Sequence, residues 1–215
     1  AASTGPATTR AGLLEVRRDS ADAVLAAAAA AAAASATDGV TVSASGTGRD
    51  VVEIQAHNGP LACVALSDDG TLAATASDKG TLVRVWDTAE PQKMVKELRR
   101  GADHAQIWCM CFSKDKSLLA VSSSRGTCHI YGLAGLANKQ SSLRSFRSVL
   151  PAYFSSEWSS MQVSVPPERS VMAFSDDKTS LFMVFYDGTY RRIELQWGAT
   201  PTAKLDPTIG TVDLL

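Results

Sequence analysis

Ser67-Asp68-Asp69-Gly70-Thr71-Leu72-Ala73-Ala74-Thr75-Ala76-Ser77-Asp78-Lys79-Gly80-Thr81-Leu82-Val83-Arg84-Val85-Trp86-Asp87 is the stretch that decides the fold. It reads as a polar turn, an apolar strand, a glycine turn and a second strand that closes on a Trp-Asp pair. Further along the chain, Ser113-Lys114-Asp115-Lys116-Ser117-Leu118-Leu119-Ala120 repeats the opening, and the same offset carries Ser77 onto Ser123, Gly80 onto Gly126 and Thr81 onto Thr127. A third copy begins at Asp176-Asp177-Lys178-Thr179-Ser180-Leu181 and ends on Asp187-Gly188-Thr189. An apolar strand precedes each turn: Leu61 to Leu66, Ile107 to Phe112 and Val171 to Phe174. Strand repeats of this length, one of them closed by Trp86-Asp87, predict an all-β fold, a WD-repeat β-propeller.

At roughly 40–45 residues per blade the chain has room for about three to four blades, whereas propellers close as rings of typically four to eight. The expectation is therefore an incomplete ring. Residues 51–196 form three C-terminal blades, 197–215 a C-terminal tail, and 1–50 a partial blade interrupted by a low-complexity insertion. In that insertion Ala26 to Ala34 is an unbroken alanine run with no amphipathic face. Gly12-Leu13-Leu14-Glu15-Val16 and Asp50 to Ile54, on either side of it, are candidate strands of one blade. The chain begins at Ala1 rather than methionine, and the missing N-terminal blades are read as a truncation or a partial gene model. Between the second and third copies the spacing grows, at about residues 132–157. An insertion that long in an economical blade is expected to be functional.

Composition sets the outer limits. The 215 residues are 45% hydrophobic and 20% charged with a net charge of -1, which excludes a disordered chain and argues against bulk nucleic-acid binding. Cys63, Cys109, Cys111 and Cys128 sit in apolar, strand-like runs, as expected of buried free thiols in a reducing compartment. Cys109 and Cys111 share one strand face, but with His104 or His129 they fall short of the paired spacing of a zinc site, so no metal is expected. Val24 to Ala34 is too short and too alanine-rich to span a bilayer, and no signal-peptide pattern opens the chain. No nucleophile elbow, P-loop or clustered acid pair occurs, so no catalytic residue, cofactor or enzyme activity is expected.

The chemistry lies in Leu98-Arg99-Arg100-Gly101, between two copies of one pattern. On one side is Ser77-Asp78-Lys79-Gly80-Thr81 with Arg84; on the other is Ser122-Ser123-Ser124-Arg125-Gly126-Thr127 with His129. Neighbouring side chains of a strand point to opposite faces, so each arginine serves a different unit. Guanidinium forks grip phosphate bidentately while hydroxyls and turn amides fill its other acceptors. Two anion pockets sharing one double-arginine hinge are suited to phosphorylated head groups.

With Ala56-His57-Asn58-Gly59-Pro60-Leu61-Ala62-Cys63, Glu97-Leu98-Arg99-Arg100-Gly101, Tyr153-Phe154-Ser155-Ser156-Glu157-Trp158-Ser159 and Asp187-Gly188-Thr189-Tyr190 added, the sequence resembles the PROPPIN family. These are the WIPI-type WD-repeat propellers that bind polyphosphoinositides, and the likeness covers residues 51–196, the family's last three blades. The resemblance implies a seven-bladed ring that recognises phosphatidylinositol 3-phosphate and 3,5-bisphosphate in autophagy. It implies two lipid pockets on the propeller rim: Arg99 with His57, Ser77, Lys79, Thr81 and Arg84, and Arg100 with Ser122, Ser123, Arg125, Thr127 and His129. His57 and His129 read equally well as structural ties between loops. Arg125 stands where many relatives have lysine, and Ser124 replaces a frequent acidic residue. In the insertion Leu143, Phe146 and Leu150 recur at helical spacing opposite Arg144, Ser145, Arg147 and Ser148, an amphipathic edge suited to a lipid interface; in the family this loop dips into the membrane. The implied partners are phosphoinositide membranes and autophagy proteins. The implied molecule is monomeric at full length and cytoplasmic, recruited peripherally to preautophagosomal, endosomal or vacuolar membranes. The competing expectation is a WD-repeat scaffold that binds only proteins or acidic peptides through the double arginine.

Overall fold

The computed structural model describes residues 13–17, 51–90, 93–133, 156–198 and 200–211. Every regular element among them is a β-strand. β1 (Leu13–Arg17) and β2 (Val51–Gln55), the two segments flanking the alanine run, form an antiparallel pair. β3 (Leu61–Leu66), β4 (Leu72–Ser77), β5 (Leu82–Asp87) and β6 (Met94–Arg99) make a first meandering blade. β7 (Ile107–Phe112), β8 (Leu118–Ser123) and β9 (Thr127–Gly132) begin the second blade. After the insertion the chain adds β10 (Glu157–Trp158) in parallel to the outer edge of β6, then β11 (Met161–Ser164) antiparallel to β9. The third blade is β12 (Ser170–Phe174), β13 (Ser180–Phe185), β14 (Thr189–Gln196) and β15 (Thr202–Leu205), with β16 (Gly210–Thr211) also on β14. The innermost strands β3, β7 and β12 lie in series against one another, the arrangement of blades around a propeller axis. The ring they begin is incomplete.

Alternation along the strands explains the packing. Ala74, Ala76, Val83, Val85 and Leu98 project from one face of the first blade onto Ile107, Met110, Leu119, Val121 and Tyr131 of the second. The opposite face of the second blade carries Ala120, Cys128, Ile130 and Met161 onto Met172, Leu181, Met183, Phe185 and Ile193 of the third. β8 is therefore buried on both faces, and its sequence is accordingly a near-continuous apolar run. Each fully buried aliphatic side chain at these joints contributes roughly 1.5–3 kcal/mol.

The third blade reaches beyond the expected boundary at 196. Ile193 pairs with Leu205 and Gln196 with Thr202, so part of the expected tail is the blade's outer strand. An edge strand with exposed Thr202 and Lys204 flanked by Pro201 and Pro207 carries little apolar signal. All four cysteines are free. Burial pushes the thiols up, to about 12 for Cys63 and Cys128, to about 11 for Cys109, and well above the ordinary value for Cys111. They are packing groups, inert as thiolates.

Candidate anion-binding site

Leu98 pairs with Val83 and Arg99 with Leu82. Leu98 and Val83 belong to the core shared with the second blade, so Arg99 faces the other way and Arg100 turns back toward the second blade. Both guanidinium-bearing residues are buried, at 4% and 5% exposure. Buried charge requires compensation, and the bonds around the two arginines differ accordingly. Arg99 Nε donates to Ser156 Oγ at 2.9 Å, while its carbonyl accepts the Tyr131 hydroxyl at 2.9 Å. Arg100 Nε donates to the Gly80 carbonyl at 2.9 Å and its Nη2 to the Asp103 carbonyl.

On the Arg99 side, Arg84 lies on the same face by register and is braced by Glu97, with Nε and Nη2 each 3.0 Å from its Oε2. The third arm of Arg84, Nη1, donates to the Ala56 carbonyl at 2.7 Å, which brings it beside His57. His57 Nε2 is 3.0 Å from Thr75 Oγ1, to which Trp86 Nε1 donates at 3.0 Å. Burial first, and then the Arg84 charge, hold the His57 pKa at about 4, so the ring is neutral at pH 7. His57 is thus tied to the strand pair that ends in Trp86-Asp87. Ser77, half-buried, closes β4 on the Arg99 face, since its neighbour Ala76 faces the core. Lys79 is exposed in the following turn. Thr81 stands at the border of the two sides: its carbonyl accepts the Arg100 backbone N–H at 3.0 Å. Gly80, at φ 59°, lets this turn approach the Ala105 carbonyl, with which a Cβ would collide.

On the Arg100 side, Ser123 pairs with Thr127 and Val121 with His129, on the face that carries Tyr131 toward the first blade. Thr127 Oγ1 lies 3.2 Å from His129 Nε2, and Ser159 Oγ lies 3.1 Å from His129 Nδ1. The imidazole stacks on Tyr131 with centroids 6.3 Å apart. Burial and the Arg100 charge hold the His129 pKa at about 4. Burial also lowers Arg100 itself, Tyr131 and Asp103 opposing and Arg125 reinforcing, yet an arginine stays cationic. Ser123 Oγ is buried and, among the described residues, has no hydrogen-bond partner. At the mouth, exposed Arg125 meets Asp103 at 3.1 Å. Ser122 is not brought to this pocket: it pairs with Cys128, on the face that packs against the third blade. Leu143, Phe146 and Leu150 lie outside the described residues.

Sequence reasoning assigned no role to Ser156 and Ser159 or to the braces Thr75 and Glu97. Glu97 had a signal, two residues before Arg99 on the face of Arg84. The two serines follow an insertion, where no repeat offset applies.

A WD-type propeller with a double-arginine pair set between two blades is the class that the fold and the site define. Residues 20–180 match the family model PROPPIN, and the chain belongs to the PROPPIN family. Autophagy-related protein 18 of Aspergillus clavatus is 37% identical over 71% of this chain and 37% of its own length. Kluyveromyces lactis Hsv2 superposes with a TM-score of 0.62 at 27% identity, over 80% of this chain and 53% of that one. KlAtg21, solved in complex with the coiled-coil of AgAtg16, gives a TM-score of 0.55 at 26% identity, covering 75% of this chain and 46% of that one. The chain thus spans about half the length of these solved relatives, and less of the curated one.

Proposed function

We propose that this protein is a non-enzymatic phosphoinositide-binding effector of autophagy, acting peripherally on membranes that carry phosphatidylinositol 3-phosphate or 3,5-bisphosphate. The observation that carries the reading is the pair Arg99–Arg100, adjacent, buried and directed to opposite faces, Arg99 bonded to the Ser156 hydroxyl on the face of Arg84 and Arg100 close to the neutral His129. A phosphate monoester carries charge opposite to a guanidinium, and it accepts from the hydroxyls around it. The Arg100 side is the more open to a ligand, with the Ser123 hydroxyl unengaged among the described residues and Arg125 at the mouth. The first pocket comprises Arg99 with Arg84, Ser77, Thr81, Lys79 and His57; the second comprises Arg100 with Ser123, Arg125, Thr127 and His129. A protein partner accompanies the lipid in this reading. Its support is that the related KlAtg21 was solved with a coiled-coil of AgAtg16.

Replacing Arg99 and Arg100 together by threonine tests it. Each charged hydrogen bond is worth roughly 1.5–3 kcal/mol, so the double variant should lose binding to vesicles containing phosphatidylinositol 3-phosphate by several decades. Soluble inositol 1,3-bisphosphate and inorganic phosphate, titrated in parallel, separate a head-group site from a free-phosphate site. Unchanged vesicle flotation of a folded double variant sinks the lipid reading and leaves the protein-only scaffold.

A further inference from the structure

We infer that Ser156 and Ser159 are positioning residues, one for each pocket, carried by a single segment of chain that bridges the two blades. The inference rests on the phosphoinositide reading and deepens it. Residues 156–164 cross from the first blade to the second. Glu157 and Trp158 pair in parallel with Leu98 and Arg99, and Met161 to Ser164 pair antiparallel with β9. Both ends of the crossing are clamped. Lys96 Nζ meets Glu157 Oε2 at 2.8 Å, and the Ile130 carbonyl accepts Ser160 N at 3.0 Å and Ser160 Oγ at 2.9 Å.

Within this clamped segment two buried hydroxyls touch the two pockets. Ser156 Oγ accepts from Arg99 Nε. The guanidinium is planar, so fixing Nε with Tyr131 holding the adjacent carbonyl sets the plane in which both Nη groups present their hydrogens. Ser159 does the same for His129 from the opposite ring nitrogen to Thr127, and a ring held at both nitrogens cannot rotate about χ2. A hydroxyl donates or accepts as required. Ser159 can therefore serve the neutral imidazole, and equally accept from Nδ1–H when an anion on Arg100 draws a proton onto the ring. The two pockets thus share one support, three residues from hydroxyl to hydroxyl.

The test uses the full natural chain, titrated with soluble inositol 1,3-bisphosphate. Ser156→Ala and Ser159→Ala are each placed in Arg99→Thr and Arg100→Thr backgrounds, which isolate one pocket at a time. The S156A change should weaken binding about tenfold when only the Arg99 pocket remains and do nothing when only the Arg100 pocket remains; S159A should show the mirror pattern. Ser156→Thr and Ser159→Thr, which keep the hydroxyl, should restore most of the affinity. Nitrogen NMR should show the His129 tautomer or its titration altered by S159A alone. If an alanine variant fails to fold, the corresponding cysteine, near in volume and poor as an acceptor, carries the same comparison. Equal losses in both backgrounds, or none while the parent binds, overturn the positioning role and leave the lipid reading intact. A parent that does not bind inositol 1,3-bisphosphate at all overturns both.

Discussion

His57 and His129 tie neighbouring segments together and, in the proposed reading, also line the pockets, and their protonation links stability to pH. Each is buried and neutral, with a pKa near 4 against an ordinary 6.5. Between those values the unfolded chain binds protons that the native one refuses. Stability is therefore complete above about pH 6.5 and falls as pH drops toward 4, by up to about 1.4 kcal/mol per unit for each ring. The expected outcome is a melting temperature that is level from pH 7 to 8 and declines steeply below 6. His129→Gln should flatten the decline by about half. A melting temperature unchanged between pH 7 and 5 would contradict the buried neutral state. The candidate cluster was legible here in residue types alone, because arginine, serine and threonine around glycine turns are the groups a phosphate cradle would need. Which hydroxyl faces which arginine was not. Ser122 and Ser123 are adjacent in sequence, and only the pairing with Cys128 and Thr127 separates their faces.

Among elements, the polar turns at the start of each repeat form a ladder between blades. In each turn the aspartate Oδ1 accepts from the serine two residues before it and from the backbone N–H and hydroxyl two residues after it, as at Ser67-Asp69-Thr71, Ser113-Asp115-Ser117 and Ser175-Asp177-Thr179. The next position is left-handed in all three: Gly70, then Lys116 at φ 61° and Lys178 at φ 57°. Each lysine reaches back one blade, Lys116 to Asp69 and Lys178 to Asp115. A left-handed lysine costs about 1 kcal/mol, and a partly exposed ion pair returns a similar amount. Lys116→Gly should therefore leave stability within about 0.5 kcal/mol of the parent, whereas Lys116→Ala, which keeps the strain and loses the pair, should cost about 1 kcal/mol. Denaturant melts that rank the two variants equally would refute the balance. Repeats of this kind are why the inner strands were legible, β3 and β7 to the residue and β12 to within one: each is framed by a turn whose chemistry cannot be placed inside a strand. β10, β11 and β15 lacked that frame. The first two follow the insertion, and β15 is an edge whose polar face hides its alternation.

For the whole molecule, the proposed function would have the blades and the insertion divide the work of holding a membrane. In that reading pocket contacts would be ionic and weaken with salt, and each pocket alone would bind weakly; two on one body would raise the effective affinity through multivalency. The described residues on either side of the insertion are Leu133 and Ser156, and Ser156 lies beside Arg99, so on the proposed reading an apolar edge in the insertion would act near the surface that the pockets address. The amphipathic pattern of Leu143, Phe146 and Leu150 makes that edge the expected source of area rather than of lipid identity. At about 25 cal/mol per Å², three buried side chains contribute several kcal/mol at most, independent of head-group chemistry and little affected by salt. Changing all three to aspartate in the full natural chain should weaken binding to every anionic vesicle by ten- to several-hundred-fold while leaving the affinity for soluble inositol 1,3-bisphosphate within twofold. Raising the salt should then release the variant from vesicles sooner than the parent, because only the ionic contacts remain. If soluble head-group binding falls as far as vesicle binding, the three residues pack against the blades, and the division of labour between pocket and insertion is wrong.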